Sequence, residues 1–155
     1  MGVDFYNLDN LVFNMLTKHN YTRKDQFEFW QAEASTITDY IATWGVVRFW
    51  AVSRSYQSSK GNVEQAIEQS DHKLYENDYK RKFLAWKIAR LALCEILDRK
   101  LKIEPDLTTQ EFDKNFTELP SHEQATIAEL LIEIGDAIQF WKMRIKDANK
   151  SNSTL

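Results

Sequence analysis

The sequence predicts an all-α protein, a single-domain bundle of four to five helices with a long central third helix. Apolar residues recur at spacings of three and four along most of the chain, which is the period of an α-helix, and no stretch alternates with period two. Four glycines and two prolines in 155 residues are few for a β-sandwich. We expect one helical domain over residues 1–148 and a disordered C-terminal tail over residues 149–155, rich in Asn, Ser and Lys.

The first two helices are predicted from their apolar stripes and their N-terminal signals. The first spans residues 8–18, with Asn7 as its N-cap. The second opens at a capping-box pattern in residues 22–25 and could reach residue 56. Gly45 is expected to bend this second helix, because glycine costs about 1 kcal/mol relative to alanine inside a helix.

The third helix is predicted over about residues 71–103, and Pro105 closes it. Its apolar residues fall on two arcs that are about 100° or more apart, so it should touch two sets of partners and lie centrally. The first arc holds Phe83, Trp86, Leu93, Leu97 and Leu101, and the second holds Leu84, Ile88 and Leu91.

Two more helices complete the prediction. A capping box of Thr108 and Glu111 starts a short fourth helix that ends near Phe116. The last helix opens near Ser121 and runs to about residue 147 with a heptad seam suited to shallow packing against its neighbours. The seam consists of Ile127, Leu131, Ile134, Ile138, Trp141, Ile145 and Ala148.

A cytoplasmic location without membrane attachment is expected. Cys94 is the single cysteine, so an internal disulfide and a cysteine-based zinc site are both excluded. The N-terminal residues lack the basic segment of a secretory signal, and charged residues interrupt every long apolar run.

Two pairs of carboxylates on the third and last helices could hold a metal ion. Glu95 and Asp98 are three residues apart, as are Glu133 and Asp136, so each pair shares a helix face. Glu133 is expected inside or at the edge of the apolar arc, where a carboxylate is costly unless it is paired or bound to a cation. Pairing with a Lys or Arg of the third helix is the alternative.

The run 133–136 resembles the second acidic motif of the MazG-like all-α nucleotide pyrophosphatases, and the run 95–98 resembles a degraded first motif of that family. The resemblance implies magnesium held by carboxylates from two helices, with the metal positioning the phosphates of a nucleotide. Glu95, Asp98, Glu133 and Asp136 would then be the metal ligands, and the basic segment of the third helix would bind phosphates.

The charge distribution is polarised although the net charge is only −3. Residues 79–102 contain eight basic side chains and two acidic ones, whereas residues 103–138 contain nine acidic side chains and one lysine. A basic helix with interleaved aromatics can follow a phosphate backbone. The candidate polyanion-binding residues are Lys80, Arg81, Lys87 and Arg90. Alternatively, the acidic stretch neutralises the basic helix internally.

Aromatic residues crowd residues 44–50 of the predicted second helix. At about 100° per residue, Trp44, Phe49 and Trp50 point in different directions around that helix, and one bundle cannot easily bury all of them. An exposed aromatic patch is typical of a protein interface, so we expect an oligomer or a subunit of a complex.

We therefore expect a non-enzymatic helical assembly or adaptor subunit, without catalytic residues or a cofactor, that binds a protein partner or a second copy of itself. A nucleic-acid backbone or another polyanion would be a further partner, docked on the basic third helix. The alternative is a magnesium-dependent nucleotide pyrophosphohydrolase of the MazG-like type.

Overall fold

The structure, a computed structural model, describes residues 8–18, 35–54, 78–98 and 100–153, with backbone only at residues 16–18, 78–84 and 142–153. This part of the chain contains six α-helices and no strand, which confirms the all-α class with more helices than the four to five predicted. None of these helices is both long and apolar enough to cross a membrane. The helices are α1 (Leu8–Lys18), α2 (Thr36–Trp44), α3 (Val46–Ser53), α4 (Asp78–Leu97), α5 (Thr109–Thr117) and α6 (Ser121–Ser153).

The long C-terminal helix α6 is the centre of the packing among the described helices. It runs for 33 residues and packs against α1, α2 and α4. The first four positions of its predicted heptad seam, from Ile127 to Ile138, are fully buried, and Leu130 and Ala137 widen the buried stripe. The helix also continues to Ser153, through most of the segment predicted as a tail, because residues 149–153 contain no glycine or proline to end it.

The prediction that the third helix is the centre was wrong. That helix corresponds to α4, whose residues 85–94 are all buried and which packs against α1, α3 and α6. It ends at Leu97 and not near residue 103, because Asp98, Leu101 and Lys102 adopt φ angles of 49°, 63° and 58° that an α-helix cannot contain. The predicted start of this helix, residues 71–77, lies outside the described residues.

Gly45 breaks the predicted second helix into α2 and α3. Its φ of 87° and ψ of 173° belong to a backbone region that is essentially restricted to glycine. The Gly45 N–H donates to the Ile41 carbonyl (2.9 Å) and closes α2, while the Phe49 N–H donates to the Gly45 carbonyl (3.2 Å) and opens α3. The predicted beginning of this helix, near residue 22, is outside the described ranges, as is Asn7.

The predicted capping box at the start of α5 is confirmed. The Glu111 N–H donates to the Thr108 hydroxyl (3.2 Å), and the Thr108 N–H donates to the Glu111 carboxylate (3.3 Å). These hydrogen bonds with Thr108 lower the pKa of the Glu111 carboxyl group. The predicted bounds of α1 are also confirmed, since the helix spans Leu8–Lys18.

Aromatic contacts join the helices on one side of the bundle. Trp50 of α3 stacks on Phe112 of α5, with ring centroids 4.1 Å apart and planes 6° from parallel. Phe49 stacks on Trp86 of α4 at 5.1 Å, and Tyr40 of α2 meets the same indole edge-on at 4.7 Å. Such pairs add about 0.5–1.5 kcal/mol each beyond the burial of their area, so these ring contacts help to hold α2, α3, α4 and α5 together.

A second aromatic contact fixes α1 on α6. The Trp141 indole N–H donates to the Asp9 carbonyl (2.8 Å), and the Trp141 ring lies against Phe13 with centroids 4.4 Å apart. Trp141 therefore continues the heptad seam toward the C-terminus as a partly buried residue that contacts the first helix.

Replacing Gly45 with alanine is expected to lower the free energy of unfolding by about 1–3 kcal/mol, because alanine does not tolerate the Gly45 backbone conformation. Nothing lies within 4 Å of an added Cβ, so the loss comes from the backbone and not from a clash. Urea unfolding of Gly45→Ala measures it, with Thr43→Ala on the exposed side of α2 as the control. In a continuous helix the same change would stabilise the protein by about 1 kcal/mol, and that result would contradict the break.

Candidate functional site

Two of the four predicted polyanion-binding residues lie inside the protein. Lys87 is 4% exposed and Arg90 is 0% exposed, both in the stretch of α4 that is buried on every side. The backbones of Lys80 and Arg81 belong to α4, but their side chains are outside the described part of the structure. The surface available to a polyanion along this helix therefore excludes Lys87 and Arg90.

Two of the three predicted interface residues are also interior. Phe49 and Trp50 are fully buried in the aromatic core, whereas Trp44 is exposed. The reason is the break at Gly45, which lets α3 turn its aromatic face inward independently of α2. As a result, the guanidinium of Arg90 lies 5.4 Å from the centre of the Trp50 ring, so residues predicted for two separate surfaces meet in one place.

We call the set Ser53, Arg54, Lys87 and Arg90 the buried basic centre; it lies where α3 ends against α4, and all of it except the partly exposed Arg54 is buried. Arg90 Nη1 donates to the Ser53 hydroxyl (3.1 Å), which itself donates to the Trp50 carbonyl (2.7 Å). Ser53 faces the interior of the protein and connects the Arg90 side chain of α4 to the backbone of α3.

The buried basic centre also holds the connection between α4 and α5. Arg54 Nη1 donates to the carbonyls of Asp106 (3.2 Å) and Leu107 (2.8 Å). The indole N–H of Trp50 donates to the same Leu107 carbonyl (3.0 Å). These three bonds satisfy carbonyls in a segment without helical hydrogen bonds, and they fix it over the end of α3.

Burial and the repulsion between neighbouring cations favour the uncharged forms of Lys87 and Arg90. The pKa of Lys87 is lowered to about 7, first by burial and then by the neighbouring Arg90 and Arg54. The pKa of Arg90 is lowered to about 9 by burial and by Arg54, while Cys94 and Asp106 act in the opposite direction. At neutral pH Arg90 stays charged and Lys87 is only partly protonated. Its neutral amine is a base and a nucleophile, but the surrounding protein encloses it almost completely.

Cys94 lies one turn after Arg90 on α4 and is buried. Burial raises the pKa of its thiol to about 12, although Arg90 acts to lower it. A thiol that stays protonated at neutral pH is a weak nucleophile and a poor metal ligand, so Cys94 behaves as a small core residue.

The four carboxylates that the MazG-like resemblance implies as ligands are not brought together. Glu95, Asp98, Glu133 and Asp136 are all exposed, and within the described residues no group of three or more His, Cys, Asp and Glu side chains could hold a metal ion. The expected position of Glu133 at the edge of the core was wrong. The buried stripe of α6 is filled by Leu130, Gly135 and Ala137 around the seam and leaves Glu133 in solvent.

The structure exposes a tryptophan and an arginine on the outside of α2 and α3. Trp44, the last residue of α2, is 52% exposed, and the guanidinium of Arg48 lies over its ring, 4.7 Å from the centroid. Ala42, Thr43 and Ala51, which are close to this pair in the sequence, are also exposed, and we call these five residues the outer α2–α3 face. Of them, the sequence interpretation identified Trp44 alone. The signal for the face was a lack of charge, since Arg48 is the one charged residue between residues 40 and 53 in a chain that is 28% charged.

The parent protein is expected to become more stable as the pH rises above about 7, and replacing Lys87 with methionine should remove that increase. The folded-state pKa of about 7 lies below the ordinary 10.5, so between these values the unfolded chain binds a proton that the folded chain lacks. Stability should therefore increase by about 2–3 kcal/mol from about pH 7 to about pH 9. Denaturant unfolding of Lys87→Met should show a flatter pH profile and higher stability near pH 7, with exposed Lys100→Met as the control. An unchanged slope in Lys87→Met would contradict the burial of a charged amine.

The thiol of Cys94 is expected to resist a soluble disulfide reagent in the native protein and to react fully once the protein is unfolded. Ala42→Cys provides the comparison, because position 42 is exposed on the outer α2–α3 face. The thiol at position 42 should react at least about a hundredfold faster than that of Cys94, because Cys94 can react only while the protein opens locally. Equal rates at the two positions would show that α4 is not enclosed.

No family model matches this chain, and no curated protein or solved structure shows significant similarity to it. The arrangement of the described side chains is therefore the basis for a functional proposal. It presents an exposed tryptophan with an arginine over its ring, a basic centre inside, and carboxylates dispersed in solvent.

Proposed function

We propose that the chain is a non-enzymatic helical assembly or adaptor subunit that binds a protein partner through the outer α2–α3 face. The observation that supports this most is the exposed Trp44 with Arg48 stacked over its ring. Tryptophan and arginine are enriched among the residues that dominate binding energy, and lysine and glutamate are depleted from interface centres. The outer α2–α3 face has that composition.

The surroundings of Trp44 also suit a binding surface. Ala42, Thr43 and Ala51 are small and exposed, so a partner could approach the backbones of α2 and α3 closely. On the same helix as Arg48 and Ala51, Phe49 and Trp50 are fixed in the core by stacking on Trp86 and Phe112. A platform that is already ordered loses little conformational entropy on association, which favours affinity. The two buried aromatics would then support the interface without touching the partner.

The pyrophosphohydrolase alternative has no comparable support among the described residues. Its four carboxylates are exposed without forming a metal-binding group. Lys87, Arg90 and Cys94 are the described groups with the most altered pKa values, and all three are enclosed by protein. The described side chains therefore favour binding over catalysis in this proposal.

Polyanion docking on α4 remains part of the proposal in a narrower form. Lys87 and Arg90 are buried, so a phosphate backbone would have to meet the side chains of Lys80 and Arg81 near the start of the helix. Such contacts would be electrostatic and would weaken steeply with salt. The cytoplasmic location expected from the single cysteine belongs to the same proposal.

Replacing Trp44 with alanine is expected to weaken partner binding at least about tenfold, since loss of a dominant interface residue costs about 2 kcal/mol or more. A photoreactive amino acid at Thr43, beside Trp44, would report binding as a covalent adduct in the native cell and in the purified protein. An adduct with a second copy would identify self-association, and one of a different mass would identify another protein. In either case Trp44→Ala should remove most of it.

The matched control for this experiment is the same photoreactive residue at Lys114, which is exposed on α5 and outside the proposed face. Adducts that form equally from both positions, or that persist in Trp44→Ala, would overturn the proposed interface. Because Trp44 is already half in solvent, the variant should stay folded, with stability within about 1 kcal/mol of the parent. Urea unfolding checks this.

Binding of a labelled single-stranded RNA at low salt is expected to fail when Lys80 and Arg81 are both changed to alanine. Lys87→Met should bind as the parent does, because its side chain is enclosed in the folded protein and cannot touch phosphate. Fluorescence anisotropy at two salt concentrations measures both variants. No binding by the parent at low salt, or equal loss in Lys87→Met, would remove polyanion docking on this helix from the proposal.

A further inference from the structure

We draw no further inference here: the strongest candidate, the cluster of Lys87, Arg90 and the partly exposed Arg54 between α3 and α4, belongs to the site already described and is set apart from an ordinary packed interior only by the lowered pKa values of Lys87 and Arg90.

Discussion

The backbone conformation of Gly45 is the constraint on which the rest of the described structure depends. Its φ of 87° ends one helix and starts the next, so the residues on either side of it no longer share one helical surface. Trp44 is exposed at the end of α2. Trp50 points into the core, where it stacks on Phe112 and its indole N–H donates to the Leu107 carbonyl. The position of α5 and the exposure of the proposed interface both follow from that rotation.

The inward turn of α3 also explains why basic residues are buried. Ser53 and Arg54 at the end of α3 meet Arg90 on α4, and the hydroxyl and carbonyl groups there accept hydrogen bonds from the guanidinium groups. Hydrogen bonding reduces the cost of enclosing these cations but does not remove it, as the lowered pKa of Lys87 shows. At positions 87 and 90 the basic segment is therefore part of the protein interior, so the segment is not basic surface along its whole length.

Local features of this fold could be predicted from the sequence, and features set by distant contacts could not. The bounds of α1, the capping box at Thr108 and the seam of α6 depend on residues within a few turns of one another. The end of α4 at Leu97 was missed because non-glycine residues adopt positive φ there, for which sequence gives no signal. The burial of Lys87 could not be predicted, since it requires knowing which helices enclose α4.

The candidate interface, too, could be predicted only in its local features. The crowding of aromatics predicts an exposed Trp44, but it also predicts an interface at Phe49 and Trp50, because one bundle cannot easily bury every side of a helix that carries all three. Glycine at position 45 was recognised as a bend, and only its dihedral angles show a complete break that redirects the following helix. Sequence can indicate where a helix weakens. The direction of the chain beyond that point is decided by the packing of α3 against α4 and α5.

The most direct test of this account is the solvent exposure of individual tryptophans in the intact protein. Fluorine NMR of 5-fluorotryptophan-labelled protein, assigned with Trp44→Phe and Trp50→Phe, reports exposure as a resonance shift between light and heavy water. The account predicts a clear shift for Trp44 and none for Trp50. A Trp50 resonance that responds as strongly as that of Trp44 would contradict it, because Trp50 would then not be enclosed in the core against Phe112.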